Sequence, residues 1–247
     1  MMGGATWASL VLFLSACSAA PGWGQQEWFV RNAGEPAVAP GPAKEDSAEP
    51  PPRRAQLSAG MGVSYVNPPD VVDLVNTVPG NPGRTSQFKT AVEFFGDVAI
   101  PVGGAWTLKV EYAYLLGSYN IDSGVGPAEI TFVAHMPTLL LQYTLVHERT
   151  YDVRAGVGVG YHFGTLSEKY GSLDDSFTGK GLGFTADVEA NTALGEDLFV
   201  YLGGNIRWDF IGALSNGAGR PPSVTASAPP TLTFFGIGAR LGLSYFF

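Results

Sequence analysis

From Phe235 to the last residue the chain alternates with a period of two. The odd positions are Phe, Ile, Ala, Leu, Leu, Tyr and Phe, and the even positions are Gly, Gly, Arg, Gly, Ser and Phe. Successive side chains of a strand point to opposite faces, so 232–247 reads as a strand with one wholly apolar face and one small or charged face. Few folds can hold such a strand. Both faces must be given a matching environment, and the polar one here carries Arg240.

The same alternation recurs upstream. It predicts eight strands, over about 56–66, 87–100, 105–116, 131–145, 151–163, 181–193, 198–210 and 232–247. In the third, Trp106, Leu108, Val110, Tyr112, Tyr114 and Leu116 oppose Thr107, Lys109, Glu111 and Ala113. Most of these stretches reach the roughly 9–11 residues that a tilted strand needs to cross a hydrocarbon layer. The connections alternate in length. Those after the first, third, fifth and seventh strands span about 20, 14, 17 and 21 residues, whereas the others are short turns such as Pro101–Gly104 and Gly195–Asp197. Short turns on one rim and long loops on the other predict a membrane barrel with both termini on the short-turn, periplasmic side. The loops 67–86 and 211–231, rich in Pro, Gly and Asn, would carry any surface contact.

Composition narrows the choice. No segment after the amino-terminal region has the roughly 18 consecutive apolar residues of a membrane helix. If the chain spans a bilayer it must do so as a closed barrel, in which every backbone group is paired. A net charge of −8 argues against a nucleic-acid partner. With Cys17 alone, no internal disulfide can form.

The amino-terminal fifth has a different character. Residues 7–16 are nearly all apolar and are followed by Cys17-Ser18-Ala19-Ala20, which reads as a signal peptide over 1–24 that lacks the usual basic start. Leu14-Ser15-Ala16-Cys17 also fits a lipobox, so lipidation at Cys17 and ordinary cleavage near Ala20 or Gly24 both stand. Residues 25–55 are Pro-rich and poor in large apolar side chains, and they read as a disordered periplasmic linker. The barrel is expected over 56–247.

The apolar face collects aromatics toward two levels. Trp106, Tyr143, Tyr151, Tyr245 and Phe247 fall near the lower rim, and Tyr65, Tyr112, Tyr114, Tyr161, Phe163, Phe184, Trp208 and Phe210 near the upper. Rings with a polar edge favour the headgroup level of a bilayer. The polar face carries Lys89, Glu93, Asp97, Lys109, Glu111, Asp152, Arg154, Asp187, Glu189, Arg207, Asp209 and Arg240. An eight-stranded barrel is just wide enough for its own side chains, so these charges are expected to pair as a plug. A cation or proton site at Asp187, Glu189 and Asp209 is the functional alternative. Phe95, Met136 and Phe234 are the apolar residues placed inside. His147 is expected to be solvated in a turn. His135 is expected on the apolar face, and His162 near the top of the fifth strand, with Ser167 and Glu168 in the following loop. Asp70, Asp73, Asp174 and Asp175 are read as loop acids. No metal spacing, phosphate loop or nucleophile elbow is present, so no catalytic residue, metal or cofactor is expected.

The terminal strand ending on Tyr245 and Phe247 resembles bacterial outer-membrane β-barrels, and with the eight-strand pattern the chain resembles the OmpA transmembrane domain, OmpX and OmpW over 56–247. The resemblance implies an all-β, eight-stranded, antiparallel up-and-down barrel in the outer membrane. It implies that Tyr245 and Phe247 are read by the barrel assembly machinery, and that outer-membrane lipid and lipopolysaccharide surround the wall. The role so implied is a structural or surface-interaction protein acting through four long extracellular loops on an extracellular or periplasmic partner. His135–Tyr143 is similar to OmpW-like strands, which implies the alternative of a conduit for small hydrophobic molecules. A lipid A-modifying enzyme is the third reading, from which His162-Phe163-Gly164 departs by lacking the His-x-Ser motif. A soluble lipocalin-like barrel would reverse the faces.

Overall fold

The structure, a computed structural model, describes residues 53–78, 88–123, 126–170, 173–219, 222 and 230–247. The signal peptide, the lipobox Cys17 and nearly all of the linker lie outside the described residues.

Eight antiparallel strands close into a barrel in sequence order, β1 pairing with β8. They are β1 (Gln56–Asn67), β2 (Lys89–Gly103), β3 (Trp106–Ser123), β4 (Gly126–His147), β5 (Tyr151–Tyr170), β6 (Leu173–Ala193), β7 (Leu198–Ala213) and β8 (Thr231–Phe246). This is the fold class that the alternation implied. β1 begins at Gln56, where the alternation begins, and its backbone is zipped along β8 from Gln56↔Phe246 to Asn67↔Phe235. No described helix is long and apolar enough to cross a membrane. Closure leaves no strand edge, so every strand is paired on both sides. Pro137, which has no N–H to give, stands where the β4–β5 ladder lapses between His135↔Phe163 and Thr138↔Gly160.

The faces fall as the parity requires. Leu57, Met61, Val63, Val98, Val110, Leu139, Val157, Val188, Leu202 and Leu241 are exposed on the outer wall. Glu93, Lys109, Glu111, Glu189, Arg207 and Arg240 are buried inside. On β5 the wall runs from Tyr151 to Tyr161, ten residues apart. At about 3.3 Å per residue and a tilt of about 40° that rise is about 25 Å, the height of a membrane barrel's apolar band.

The upper end departs from expectation. The stretches expected as loops of about 14 and 17 residues are instead continuations of β3–β4 and β5–β6, which run to residues 123 and 126 and to 170 and 173. Asp174 and Asp175 therefore lie on a strand, as do Ser167 and Glu168. The physical reason is burial. Tyr119, Ile121, Ala128, Ile130, Phe132, Leu166 and Phe177 point inward and are buried, so these hairpins have an apolar face of their own to hide. The count of four long loops is thus corrected to two, after β1 and after β7.

The first of these loops holds a helix, α1 (Pro69–Thr77). Pro69 suits the first turn, where a missing N–H costs nothing. Val71, Val72, Leu74 and Val75 form one apolar face. That face joins a buried cluster with Val66, Tyr119, Leu232 and Phe234 inside the upper barrel. Asp70, expected as a loop acid, fixes the helix: its carboxylate accepts from the Thr231 N–H at 2.8 Å and from the Thr231 hydroxyl at 2.7 Å.

Candidate functional site

The interior has two storeys. The lower is ionic and is built from inward positions of all eight strands. At its centre lies Lys109 on β3, fully buried. Its Nζ stands 2.8 Å from Glu189, 3.2 Å from Asp187, 3.3 Å from Glu111 and 3.8 Å from Asp97. The Gln142 amide donates to Asp187 at 2.8 Å and to Glu189 at 3.1 Å, so it locks the two carboxylates that hold the ammonium. Arg240 on β8 forms a two-pronged pair with Glu111, at 2.7 and 2.8 Å. That geometry matches the flat guanidinium to the carboxylate. Its Nε donates to Glu93 at 2.7 Å. Glu93 also accepts from Arg207 at 2.9 Å and from the Ser64 hydroxyl at 2.5 Å.

Below this, the Arg154 guanidinium is ion-paired with Asp152 at 2.6 Å and donates to the Gln56 side-chain carbonyl at 2.7 Å. Gln56, Ser58, Ser244 and Asn191 continue the chain of hydrogen bonds. Phe95 lies beside Arg240 and Tyr201 beside Lys109, each ring presenting its face to the cation.

The connectivity matters more than the count. Lys109 of β3 reaches β6, Arg240 of β8 reaches β3, and Arg207 of β7 reaches β2. Each bridge joins strands three places apart around a closed ring of eight, so each crosses the lumen. Together they span it at mid-height.

All ten charges expected to form the interior network are buried inside, and Asp97 joins them. Lys89 does not: it sits at the upper mouth with Nζ over the Tyr119 ring. The neutral partners Ser64, Gln142 and Tyr201 stand on the inner face where strand parity puts them, and they and Gln56 join the network only through contacts that parity does not reveal.

Each histidine has an observed environment. His147, expected in solvent, bonds Asp152 at 3.1 Å and is largely buried. His135 does face outward on β4, bonded at 2.6 Å to the Tyr112 hydroxyl. His162 is buried between Asp209, which it contacts through Nδ1, and the Thr138 hydroxyl at 3.2 Å from Nε2. Ser167 and Glu168 lie further up the same strand and are not its partners.

The slot for His162 is cut by glycine. A Cβ on Gly183 would overlap the imidazole ring, and its other near neighbour is the Asp209 carboxylate. Only side chains stand in the way there. Gly183→Ala is therefore expected to lower the unfolding free energy by about 1–3 kcal/mol, the usual cost of overpacking. Adding His162→Ala should restore most of it. At Gly160 a Cβ would also overlap the Pro137 carbonyl, which cannot move aside. Gly160→Ala should stay destabilised in the His162→Ala background. Urea titrations of the four proteins check both statements, and equal rescue at the two glycines would contradict the assigned cause.

The upper storey is apolar. Leu115, Phe132, Leu166, Ile211, Leu232, Phe234 and the inner face of α1 pack there, along with Phe95 and Met136. The Met136 sulfur accepts from Arg207 at 3.0 Å, where the two storeys meet. Among the described residues no cluster of three or more His, Cys, Asp or Glu has the geometry of a metal site.

No protein-family description and no curated protein sequence matches the chain. Solved structures are similar to it at low identity. Neisserial surface protein A is 8% identical with a TM-score of 0.48, covering 78% of this chain and 97% of that one. The outer membrane protein OprG of Pseudomonas aeruginosa is 13% identical with a TM-score of 0.46, covering 79% and 97%. The attachment invasion locus protein Ail of Yersinia pestis, in complex with the heparin analogue sucrose octasulfate, is 9% identical with a TM-score of 0.44, covering 78% and 99%.

Proposed function

We propose that this chain is an integral barrel of a bacterial outer membrane, its termini periplasmic and its interior closed. In this reading it serves as a structural or surface-interaction protein rather than an enzyme. The observation that carries the reading is the lumen crossed by buried ion pairs inside a wall that is apolar on its outside. A soluble barrel would have no use for that inversion. The first and last strand residues of the barrel, Gln56 and Phe246, pair with one another on the rim of short turns, at Gly104–Ala105, Glu148–Thr150 and Leu194–Asp197. The opposite rim carries the raised hairpins and α1, and it is the surface offered to an extracellular partner. Tyr245 and Phe247, exposed on the outer wall at the end of β8, suit recognition by the assembly machinery.

Two measurements test this. Detergent-extracted protein should migrate differently on a gel with and without boiling, because a closed barrel survives detergent until heated. In planar bilayers it should show no steady conductance above the bare membrane. Stable channels of uniform size would refute the closed interior. A second reading, a conduit for small hydrophobic molecules, is favoured by the apolar upper storey beneath α1. It requires saturable binding of an apolar fluorescent probe that is lost when Phe132 or Leu166 is replaced by Asp.

A further inference from the structure

The outer wall is broken near its upper boundary, over β5, β6 and β7. A groove of about 490 Å³ opens there, and its lining includes Phe163, Thr165, Thr178, Lys180, Gly212 and Ser215. Its origin is local. Lower down, the outward positions of these strands carry Tyr161, Phe184, Trp208 and Phe210. Here they carry Thr165, Thr178 and Gly212. The β7–β8 register slips between Ile211 and Ala213. Beyond the slip, Ser215 is tied back to Thr178 by two backbone hydrogen bonds, of 2.9 and 3.1 Å. The groove is therefore held open by the backbone and does not depend on a mobile side chain.

Its chemistry is directional. Phe163 forms one apolar wall. Directly opposite it in the β5–β6 register stands Lys180, exposed and in no ion pair among the described residues. The hydroxyls of Thr165, Thr178 and Ser215 flank it. The protein as a whole carries −8, so its overall charge does not draw an anion here; Lys180 is the cation of the described lining. Phe163 and Lys180 sit one outward position above Tyr161, the top of the apolar band and thus headgroup level.

We propose that this groove is a binding site for a phosphate-bearing lipid of the outer leaflet. Lys180 Nζ pairs with the headgroup phosphate, the three hydroxyls donate to its oxygens, and the first acyl carbons lie over Gly212 against Phe163. The lysine supplies a point charge, and the apolar wall selects a lipid over a free anion. The proposal rests on the membrane reading above.

The test is native mass spectrometry of detergent-extracted full-length protein titrated with diphosphorylated lipid A, with dephosphorylated lipid A, and with lipid A plus millimolar inorganic phosphate. A Cβ on Gly212 meets only the Lys180 carbonyl, at an ordinary 3.6 Å, so Gly212→Leu fills the groove without disturbing the strand. Wild type should retain one diphosphorylated lipid. Lys180→Glu and Gly212→Leu should each weaken retention at least tenfold while keeping the heat-dependent gel shift. Undiminished retention by both variants overturns the site. Equal binding of the dephosphorylated lipid, or displacement of lipid A by inorganic phosphate, overturns the assigned ligand. A wild-type protein with no heat-dependent shift before any lipid is added defeats the membrane reading instead, a result visible independently of the titration.

Discussion

Lys109→Met is expected to lower the unfolding free energy by about 3–5 kcal/mol, the range for breaking a buried ion pair by removing one partner. Lys109 is fully buried and gathers four carboxylates, from Asp97, Glu111, Asp187 and Glu189. Methionine fills the same space but leaves those acids facing one another in a medium that solvates them poorly. Urea unfolding of the protein refolded into detergent or lipid vesicles measures the loss. Two comparisons isolate the cause. Adding Glu189→Gln removes one of the stranded charges and should recover part of the loss, because residues in one network couple. Arg54→Ala breaks the Arg54–Asp197 pair, which lies on the rim of short turns with each side chain about two-fifths exposed, and should cost no more than about 1 kcal/mol. A Lys109→Met protein as stable as wild type would mean that the acids are hydrated in the folded state and that the lumen is open.

Val157→Arg addresses the other side of the wall. Val157 is 65% exposed, at the middle of the apolar band on β5, midway between Tyr151 and the upper aromatics Tyr161 and Phe163. An Arg at the midplane of a membrane barrel's lipid face costs about 2–4 kcal/mol, and the cost fades toward the interfaces. The same replacement at Thr165, on the same face above the aromatic level, should cost about 1 kcal/mol or less. The ratio between the two sites is the diagnostic quantity, because a soluble barrel would accept arginine equally at both. Folding efficiency into vesicles, together with urea midpoints, reads it directly. A difference within error would end the assignment of this face to lipid.

The two predictions concern opposite faces of one sheet, and the sequence separated those faces with little ambiguity. Strand parity admits one choice: once Val157 faces out, Arg154 and Gly156 must face in. The same logic placed Lys109, Glu189 and Arg240 together inside, and it left His135 on the outer wall despite its polarity. Parity failed where a strand no longer had two different environments. Beyond Leu116 and Phe163 the pattern loosens into Ser, Gly, Asn and Thr, which reads as loop. Yet Tyr119, Ile130, Phe132 and Leu166 are buried there, and the hairpins continue. The helix α1 was missed for a related reason. Its nine residues begin on the second of two prolines and form no stable helix alone; the apolar cluster of the upper barrel supplies what holds Val71, Leu74 and Val75 in place.

The amino-acid order alone determined that there are eight strands, where each begins near its short turn, and which side of each is greasy. A period of two is a property of the strand itself and needs no neighbour to express it. Tertiary structure alone decided which charges meet. Glu93 with Arg240, and Lys109 with Glu189, are separated by 147 and 80 residues, and they face one another only after the sheet has curled and shut with a particular stagger between its strands. That stagger comes from closure of β1 on β8, an event of the whole ring, and no single strand carries a record of it.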